Sequence, residues 1–276
     1  MNQETATWNR TNLKDPHKLP DKRRLVRVMF SAIARRYDLL NHILSLNMDR
    51  SWRRRAVELA QPKPDQTVLD LCCGTGDLAL QFACTEPRLS KIIGVDFSEE
   101  MLKVARNKQQ KKQPKKQACR HNPPVIKWLC ADAESVPLPG GHFDCVTCAF
   151  GIRNLQNLPT ALREMFRLLK PRGRLVILEF AMPRNRLLSV LYECYFRLVL
   201  PCLGGIISND KYGAYRYLPH SVINFPNAHR LEQLIRQANF STVRIECLCR
   251  GVVLAIVADK NIYTDHNNII NEHGSK

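Results

Sequence analysis

The run VLDLCCGTGD at residues 68–77 constrains the fold of this chain more than any other stretch. A short apolar strand closes on Asp70 and Leu71, a glycine turn follows, and a helix opens near Asp77. Gly74 and Gly76 carry no Cβ, so backbone there can approach a ligand closely. A strand that feeds a helix through such a turn is the opening unit of a doubly wound α/β sheet. Sheets of that kind bind ligands at the carboxyl ends of their strands.

The remainder of the chain repeats the alternation. β-rich runs at 67–71, 91–95, 125–130, 143–148 and 174–180 are separated by helical patterns at 77–83, 98–108 and 160–169. Strands that are apolar almost throughout and alternate with helices predict a parallel sheet covered on both faces. A helix at 231–238 and two strands at 243–249 and 252–258 follow. The short turn at Arg250 and Gly251 predicts that these two strands pair antiparallel, as a hairpin on one sheet edge. The expected fold is therefore α/β, doubly wound and mostly parallel, with a C-terminal antiparallel hairpin. Ahead of the sheet, residues 22–60 read as helical, with Pro62 and Pro64 ending them. The first 21 residues are polar and are expected to be loose, as are residues 261–276. Residues 106–120 carry a Lys- and Gln-rich run that reads as a solvated loop.

Acids close three successive strands: Asp70, Asp96 and Asp132. Asp96 lies twenty residues beyond Gly76, where a carboxylate can accept from a ribose diol. The sequence GTGDLA at 74–79 satisfies the dinucleotide pattern, so an NAD-dependent oxidoreductase is one reading. S-adenosylmethionine is the other, and three features favour it. Asp70 can reach a methionine ammonium, Asp77 is poorly placed beside a diphosphate, and the acids at 132 and 134 can accept from an adenine amino group.

Charge and cysteines narrow the partners. Lys and Arg number 42 against 25 Asp and Glu, a net charge of +17 that favours anionic surfaces, either nucleic acid or acidic lipid. No RNA-binding motif with stacking aromatics accompanies the charge, and no nucleic-acid partner is expected. The eleven cysteines mostly sit in apolar runs. Cys145 and Cys148 form a CxxC inside a strand, with no second pair to complete a zinc site, so no metal is expected and a reducing cytoplasm is. Residues 187–207 are strongly apolar, but Glu193, Arg197, Pro201, Gly204 and Gly205 interrupt them. A helix touching a greasy ligand or a membrane surface fits better than a spanning one.

The ordered set VLDLCCGTGD, GVDFSEEML, ADAESVPLPGGHFDCV and ALREMFRLLKPRGRLVILEF resembles the class I methyltransferases. More narrowly, FSAIARRYDLLN at 30–41, FGIRN at 150–154 and YRYL at 215–218 resemble the ubiquinone/menaquinone biosynthesis C-methyltransferase family, over residues 27–259. The resemblance implies a helical lid at 22–61 and an S-adenosylmethionine-dependent methyltransferase domain at 62–260. It implies cofactor contacts from Asp70, Gly74, Thr75, Gly76, Asp96, Phe97, Asp132 and Ala133. Ala149 stands where the family often has Ser. It further implies methyl transfer to a ring carbon of a prenylated quinol. Demethylmenaquinol is the favoured acceptor, because the first residues lack an Arg-rich amphipathic helix, and a benzoquinol of the ubiquinone pathway is the alternative. Such a ring attacks a sulfonium only when electron-rich, so Arg153 is expected beside the developing phenolate, with Asn154 and Tyr37 near it. The base is left among Tyr37, His42 and a water held by Arg153. The clusters Arg23–Arg24–Arg27, Arg35–Arg36 and Arg53–Arg54–Arg55, set beside the apolar 187–207 stretch, imply transient contact with the inner face of an anionic membrane. Association with a second copy is compatible with the sequence.

Overall fold

In a computed structural model, residues 7–9, 11–86, 88–112, 124–183, 185–194 and 212–261 are described. Seven strands form one sheet: β1 (Thr67–Leu71), β2 (Lys91–Asp96), β3 (Val125–Cys130), β4 (Phe143–Ala149), β5 (Leu169–Phe180), β6 (Thr242–Leu248) and β7 (Val253–Asp259). Their order is β3-β2-β1-β4-β5-β7-β6. The first five strands are parallel, and β7 lies antiparallel between β5 and β6. The chain leaves β1 toward β2 on one side and later returns to β4 on the other. The crevice above the carboxyl ends of β1 and β4 is the switch point where such sheets bind ligands.

Both sheet faces are buried, as the near-continuous apolar strands require. On one face α3 (Met48–Ala60) and α4 (Asp77–Thr85) bring Trp52, Val57 and Phe82 against Val68, Ile92 and Val176. On the other, α6 (Leu158–Leu168) and the helix Ala228–Gln237 pack Leu162, Met165 and Ile235 against Leu69, Val146 and Ile177. The helical stretch ahead of the sheet resolves into α1 (Lys22–Ile33), α2 (Tyr37–Leu44) and α3. Left-handed Leu46 and Asn47 turn the chain between α2 and α3, and left-handed Gln61 ends α3 just before Pro62. With Ala214–Ile223, α1 and α2 form a third cluster, including Leu25, Met29, Leu40 and Tyr217, against Phe97 and Phe180 at the carboxyl edge.

Three sequence expectations change. Residues 7–9 and 11–21 are not loose: Trp8 is buried, and its ring stacks on Tyr217 with centroids 4.3 Å apart. One aromatic inside a polar stretch suffices to anchor it. The Lys-rich run is helical as far as Lys112, since α5 spans Glu99–Lys112; the rest of that run lies outside the described residues. Strand β5 starts at Leu169 rather than 174. Pro171 and Gly173 sit in a bulge where the register jumps between Phe143/Leu169 and Cys145/Arg174. Of the apolar 187–207 stretch, Arg186–Cys194 forms a helix and residues 195–211 lie outside the described residues. Among the described residues no helix is long and apolar enough to cross a membrane.

Candidate active site

The glycine turn divides its labour between two neighbours. Gly74 has φ +54°, and a Cβ built there would find only the Tyr37 ring, at 3.9 Å. That open space is what a closely approaching ligand needs. Gly76, expected as a second cofactor contact, serves packing instead. At φ +81° its Cβ would stand 2.5 Å from the Trp128 ring and 3.0 Å from Ala105. It lines neither polar pocket described below.

The acids at the strand ends gather on this turn. Asp96 is buried, and its two oxygens accept from the backbone N–H groups of Gly74 (2.9 Å) and Ser98 (2.9 Å). Burial nevertheless pushes its pKa up to about 6. Asp70 accepts from Thr147 Oγ1 at 2.8 Å through Oδ1, while its buried Oδ2 has no partner. Burial raises the Asp70 pKa to about 7. A buried carboxylate oxygen left unpaired costs stability, and this one belongs to a residue that lines an opening beside Gly74. Asp132 accepts from the Glu134 amide and pairs with Arg23 of α1 at 2.6 Å.

Two adjoining openings result, with Tyr37, Gly74, Ala149 and Phe150 common to both linings. A slot is lined by Gly74, Asp96, Phe97, Asp132, Ala133, Ala149 and Asn154, and Tyr37 closes it from α2. A smaller pocket beside it is lined by Asp70, Gly74, Thr75, Asp77, Ala149 and Arg53. Thr75 does not offer a free hydroxyl: Oγ1 donates to Asp38 at 2.5 Å and accepts from Lys108 at 3.0 Å. Lys108 also pairs with Asp38 (2.6 Å) and Asp77 (2.5 Å), tying α2 to the glycine turn. The residues present fit S-adenosylmethionine. There is an orphan carboxylate at one end, Asp96 at the middle, Asp132–Ala133 at the other end, and an open Gly74 between.

Behind a wall of Phe30, Tyr37 and Phe150 lies a cavity of about 480 Å³, lined mainly by apolar side chains of α1, α2 and α3. Phe150 holds φ +57°, a strained conformation that puts its ring in all three openings. Arg153 lines the apolar cavity, yet it is buried and paired rather than extended into a loop. Its Nη1 donates to Glu179 Oε1 and to the Phe150 carbonyl, both at 2.7 Å, and its Nε has no partner. Burial opposes its charge, but Glu179, Tyr217 and Tyr37 together outweigh burial and raise the pKa of the guanidinium. Asn154 Oδ1 accepts from Tyr217 Oη at 2.9 Å.

Several participants were not singled out in the sequence. Glu179 ends β5, so the strand-end rule that found Asp70, Asp96 and Asp132 extends to it. Lys22 opens α1 and is 2% exposed. Its ammonium donates to the carbonyls of Arg153 (2.7 Å) and Leu155 (2.6 Å) and to His17 Nδ1 (3.1 Å). Burial lowers the pKa of Lys22 to about 8 and that of His17 to about 4, so His17 is neutral and donates Nε2–H to the Ser221 carbonyl. Nothing in the local pattern marks Lys22, because a Lys at a helix start reads as solvated. Arg53, expected at a lipid surface, is instead mostly buried against Asp49 (2.5 Å) and Asp77 (3.4 Å). Arg23 and Arg55 are likewise paired within the fold, the latter with Glu246 and Glu58.

Of the candidate bases, Tyr37 is pushed up by burial and stays a phenol at neutral pH. His42 lines no described opening; its Nδ1 bonds Asp49 Oδ2 at 2.8 Å. Asp49 does line the apolar cavity. Burial opposes its ionisation, but Arg53, His42 and Ser45 together hold its pKa below the usual carboxylate range. Among the described residues no cluster of His, Cys, Asp or Glu has the arrangement of a metal site.

Comparison with known proteins agrees with this architecture. The chain is 46% identical over 232 residues to the demethylmenaquinone methyltransferase of Thermus thermophilus, covering 84% of this chain and all of that one. It is 43% identical to the ubiquinone/menaquinone biosynthesis C-methyltransferase UbiE of Geobacter sulfurreducens, over 89% of this chain and 92% of that one. A solved methyltransferase from Aquifex aeolicus shares the fold at a TM-score of 0.54 and 18% identity, covering 75% of this chain and 88% of that one. The profile of the ubiE/COQ5 methyltransferase family matches residues 17–260, so the chain belongs to that family and is an S-adenosylmethionine-dependent methyltransferase.

Proposed function

We propose that this protein methylates a ring carbon of demethylmenaquinol to give menaquinol. The observation that carries the proposal is the apolar cavity of about 480 Å³ meeting the polar slot at Phe30, Tyr37 and Phe150. Its volume is within the ordinary range for small-molecule pockets, and a quinol ring with the start of a prenyl chain suits its lining. The Thermus thermophilus relative is named for the same acceptor.

Bound S-adenosylmethionine supplies an electrophilic methyl group. In this reading Asp70 holds its ammonium, Asp96 the ribose hydroxyls, and Asp132 with Ala133 the adenine; Phe97 and Ala149 complete the walls, and Thr75 holds the turn in shape through Asp38 and Lys108. Helices α1 and α2, within residues 22–61, act as a lid that excludes water, with Arg23 and Asp38 as its two fastenings. Loss of the quinol hydroxyl proton makes the ring carbon nucleophilic, and Arg153 stabilises the phenolate in a low-dielectric cavity. Asn154, held by Tyr217, fixes the turn that presents Arg153. Attack forms the carbon–carbon bond as the methyl–sulfur bond breaks, its electron pair staying on sulfur so that S-adenosylhomocysteine departs, and the ring is left with a C–H whose proton must go to restore aromaticity. Asp49 is, among the described residues, the one carboxylate lining the cavity, and we assign that proton to it, with His42 behind.

Access of a lipid-soluble acceptor accounts for a further surface. Ile43, Leu46 and Met48 line the cavity, and all three are exposed, as is Leu39, while Arg35, Arg36, Arg50 and Arg54 are exposed close by in sequence. Apolar side chains ringed by arginines suit the inner face of an anionic membrane, touched from the cytoplasm.

The test is methyl transfer in vitro to reduced acceptors in anionic vesicles. Transfer to a demethylmenaquinol is expected; transfer to the benzoquinol precursor of ubiquinone alone would reassign the ring.

A further inference from the structure

We propose that Arg53 is the receptor for the carboxylate of the cofactor's methionine, forming with Asp70 a zwitterion clamp at one end of the slot. The proposal rests on assigning the slot to S-adenosylmethionine. Its starting point is the small pocket beside Gly74, in which Arg53 is, among the described residues, the only cationic lining residue and Asp70 presents the unpartnered Oδ2. An α-amino acid carries both charges on neighbouring atoms, so a site that answers the ammonium alone leaves a carboxylate to be desolvated without compensation.

Arg53 has the free capacity for that task. Its side chain is 11% exposed, and both of its ion pairs, with Asp49 and Asp77, run through Nη1. Among the described residues Nε and Nη2 have no protein hydrogen bond, and neither is a sealed, unsatisfied atom. The Nε–Nη2 edge of a guanidinium is a planar fork that accepts a carboxylate through two parallel bonds. The guanidinium is also near enough to Asp70 for its charge to hold that carboxyl below where burial alone would set it. A position on α3, whose Trp52, Ala56 and Val57 pack on the sheet, makes the fork rigid. Sequence reading misses it because Arg53 stands among three consecutive arginines that look alike.

Removing the guanidinium leaves no orphan behind. Asp49 keeps His42 and Ser45, and Asp77 keeps Lys108, so Arg53→Met should fold. The experiment is calorimetric binding of S-adenosylhomocysteine and of its decarboxylated analogue to wild type, Arg53→Met and Arg53→Lys. Wild type should prefer the carboxylate-bearing ligand by at least about tenfold, the scale of a charge-assisted fork. Arg53→Met should erase that preference, weakening S-adenosylhomocysteine while the decarboxylated analogue binds as before. Arg53→Lys keeps charge without the fork, should recover part of the preference, and decides the matter if the Met variant does not fold. Equal weakening of both ligands, or an unchanged preference, overturns the clamp. Failure of wild type to bind either ligand would instead overturn the assignment of the slot.

Discussion

Arg153 and Glu179 form an ion pair 2.7 Å long in which both side chains are almost wholly buried, directly beneath the apolar cavity. Glu179 also accepts from the backbone amides of Arg153 and Phe180, so the carboxylate is fully engaged and the guanidinium Nε is not. Breaking a buried pair from one side leaves a charge uncompensated, at a cost of about 3–5 kcal/mol. Arg153→Met alone should therefore lower both stability and kcat. Adding Glu179→Gln should recover most of the lost Tm without restoring kcat, because the charge that faces the phenolate is still missing. Recovery of turnover in the double variant would show that Arg153 acts only as structure.

Gly74 and Gly76 should fail in different ways when replaced by alanine. Both have positive φ, so each substitution carries about 1–2 kcal/mol of backbone strain. At Gly76 the added methyl also meets Trp128 at 2.5 Å, so thermal denaturation should reveal the larger loss there. At Gly74 the methyl enters open space in the slot, so Tm should fall less while S-adenosylhomocysteine binding weakens more. Thermal melts and titrations of the two variants give the comparison directly; matching profiles would remove the division of labour inferred for the turn.

Most of the sheet was legible because its strands are short and punctuated, whereas the start of β5 was not, because Pro171 and Gly173 lie inside that strand. Asp70, Asp96 and Asp132 were legible for the same reason: an acid at the end of a parallel strand has one place to point. Arg53, Lys22 and Asp49 were not. Each sits on a helix whose polar residues look solvated until its neighbours are known: Lys22 meets the carbonyls of Arg153 and Leu155, Arg53 meets Asp77, and Asp49 meets His42 of the preceding helix. Trp8 was lost in the same manner, since its partner Tyr217 lies more than two hundred residues along the chain. Gly76 misled because a ligand and an indole ring make the same demand on a backbone, the absence of Cβ.

Cofactor affinity should fall as pH drops through about 7. Asp70 and Asp96 have folded pKa values raised by burial to about 7 and about 6, from 3.8. Their contribution to stability of the free protein is therefore fully present below about pH 4 and is lost as pH rises through 6 to 7. Binding runs the other way, because an ammonium ligand selects the ionised Asp70. Near pH 6.5 each binding event should release part of a proton, detectable as a binding enthalpy that changes with the buffer's ionisation enthalpy. Asp70→Asn should remove most of that release along with much of the affinity. A buffer-independent enthalpy in wild type would mean that Asp70 is already ionised in the free protein.

The exposed turn between α2 and α3 should govern membrane binding separately from chemistry. Leu46 is 79% exposed and Met48 is 41% exposed, although both also line the cavity. Burying each of them in the acyl boundary contributes on the order of 1–2 kcal/mol, and each nearby arginine adds about 1 kcal/mol at an anionic surface. Leu46→Glu with Met48→Glu replaces attraction by repulsion and should lower vesicle partitioning by more than tenfold. The variant should retain S-adenosylhomocysteine affinity, since neither residue lines the polar slot. With a water-soluble short-chain quinol its kcat should fall far less than turnover of a long-chain acceptor held in vesicles, which should collapse. Sedimentation with vesicles containing 30% anionic lipid against neutral ones, roughly physiological in charge, measures the first effect. Unchanged partitioning of the double variant would send the search for a membrane face to Leu187 and Val190, the exposed apolar pair on the helix Arg186–Cys194.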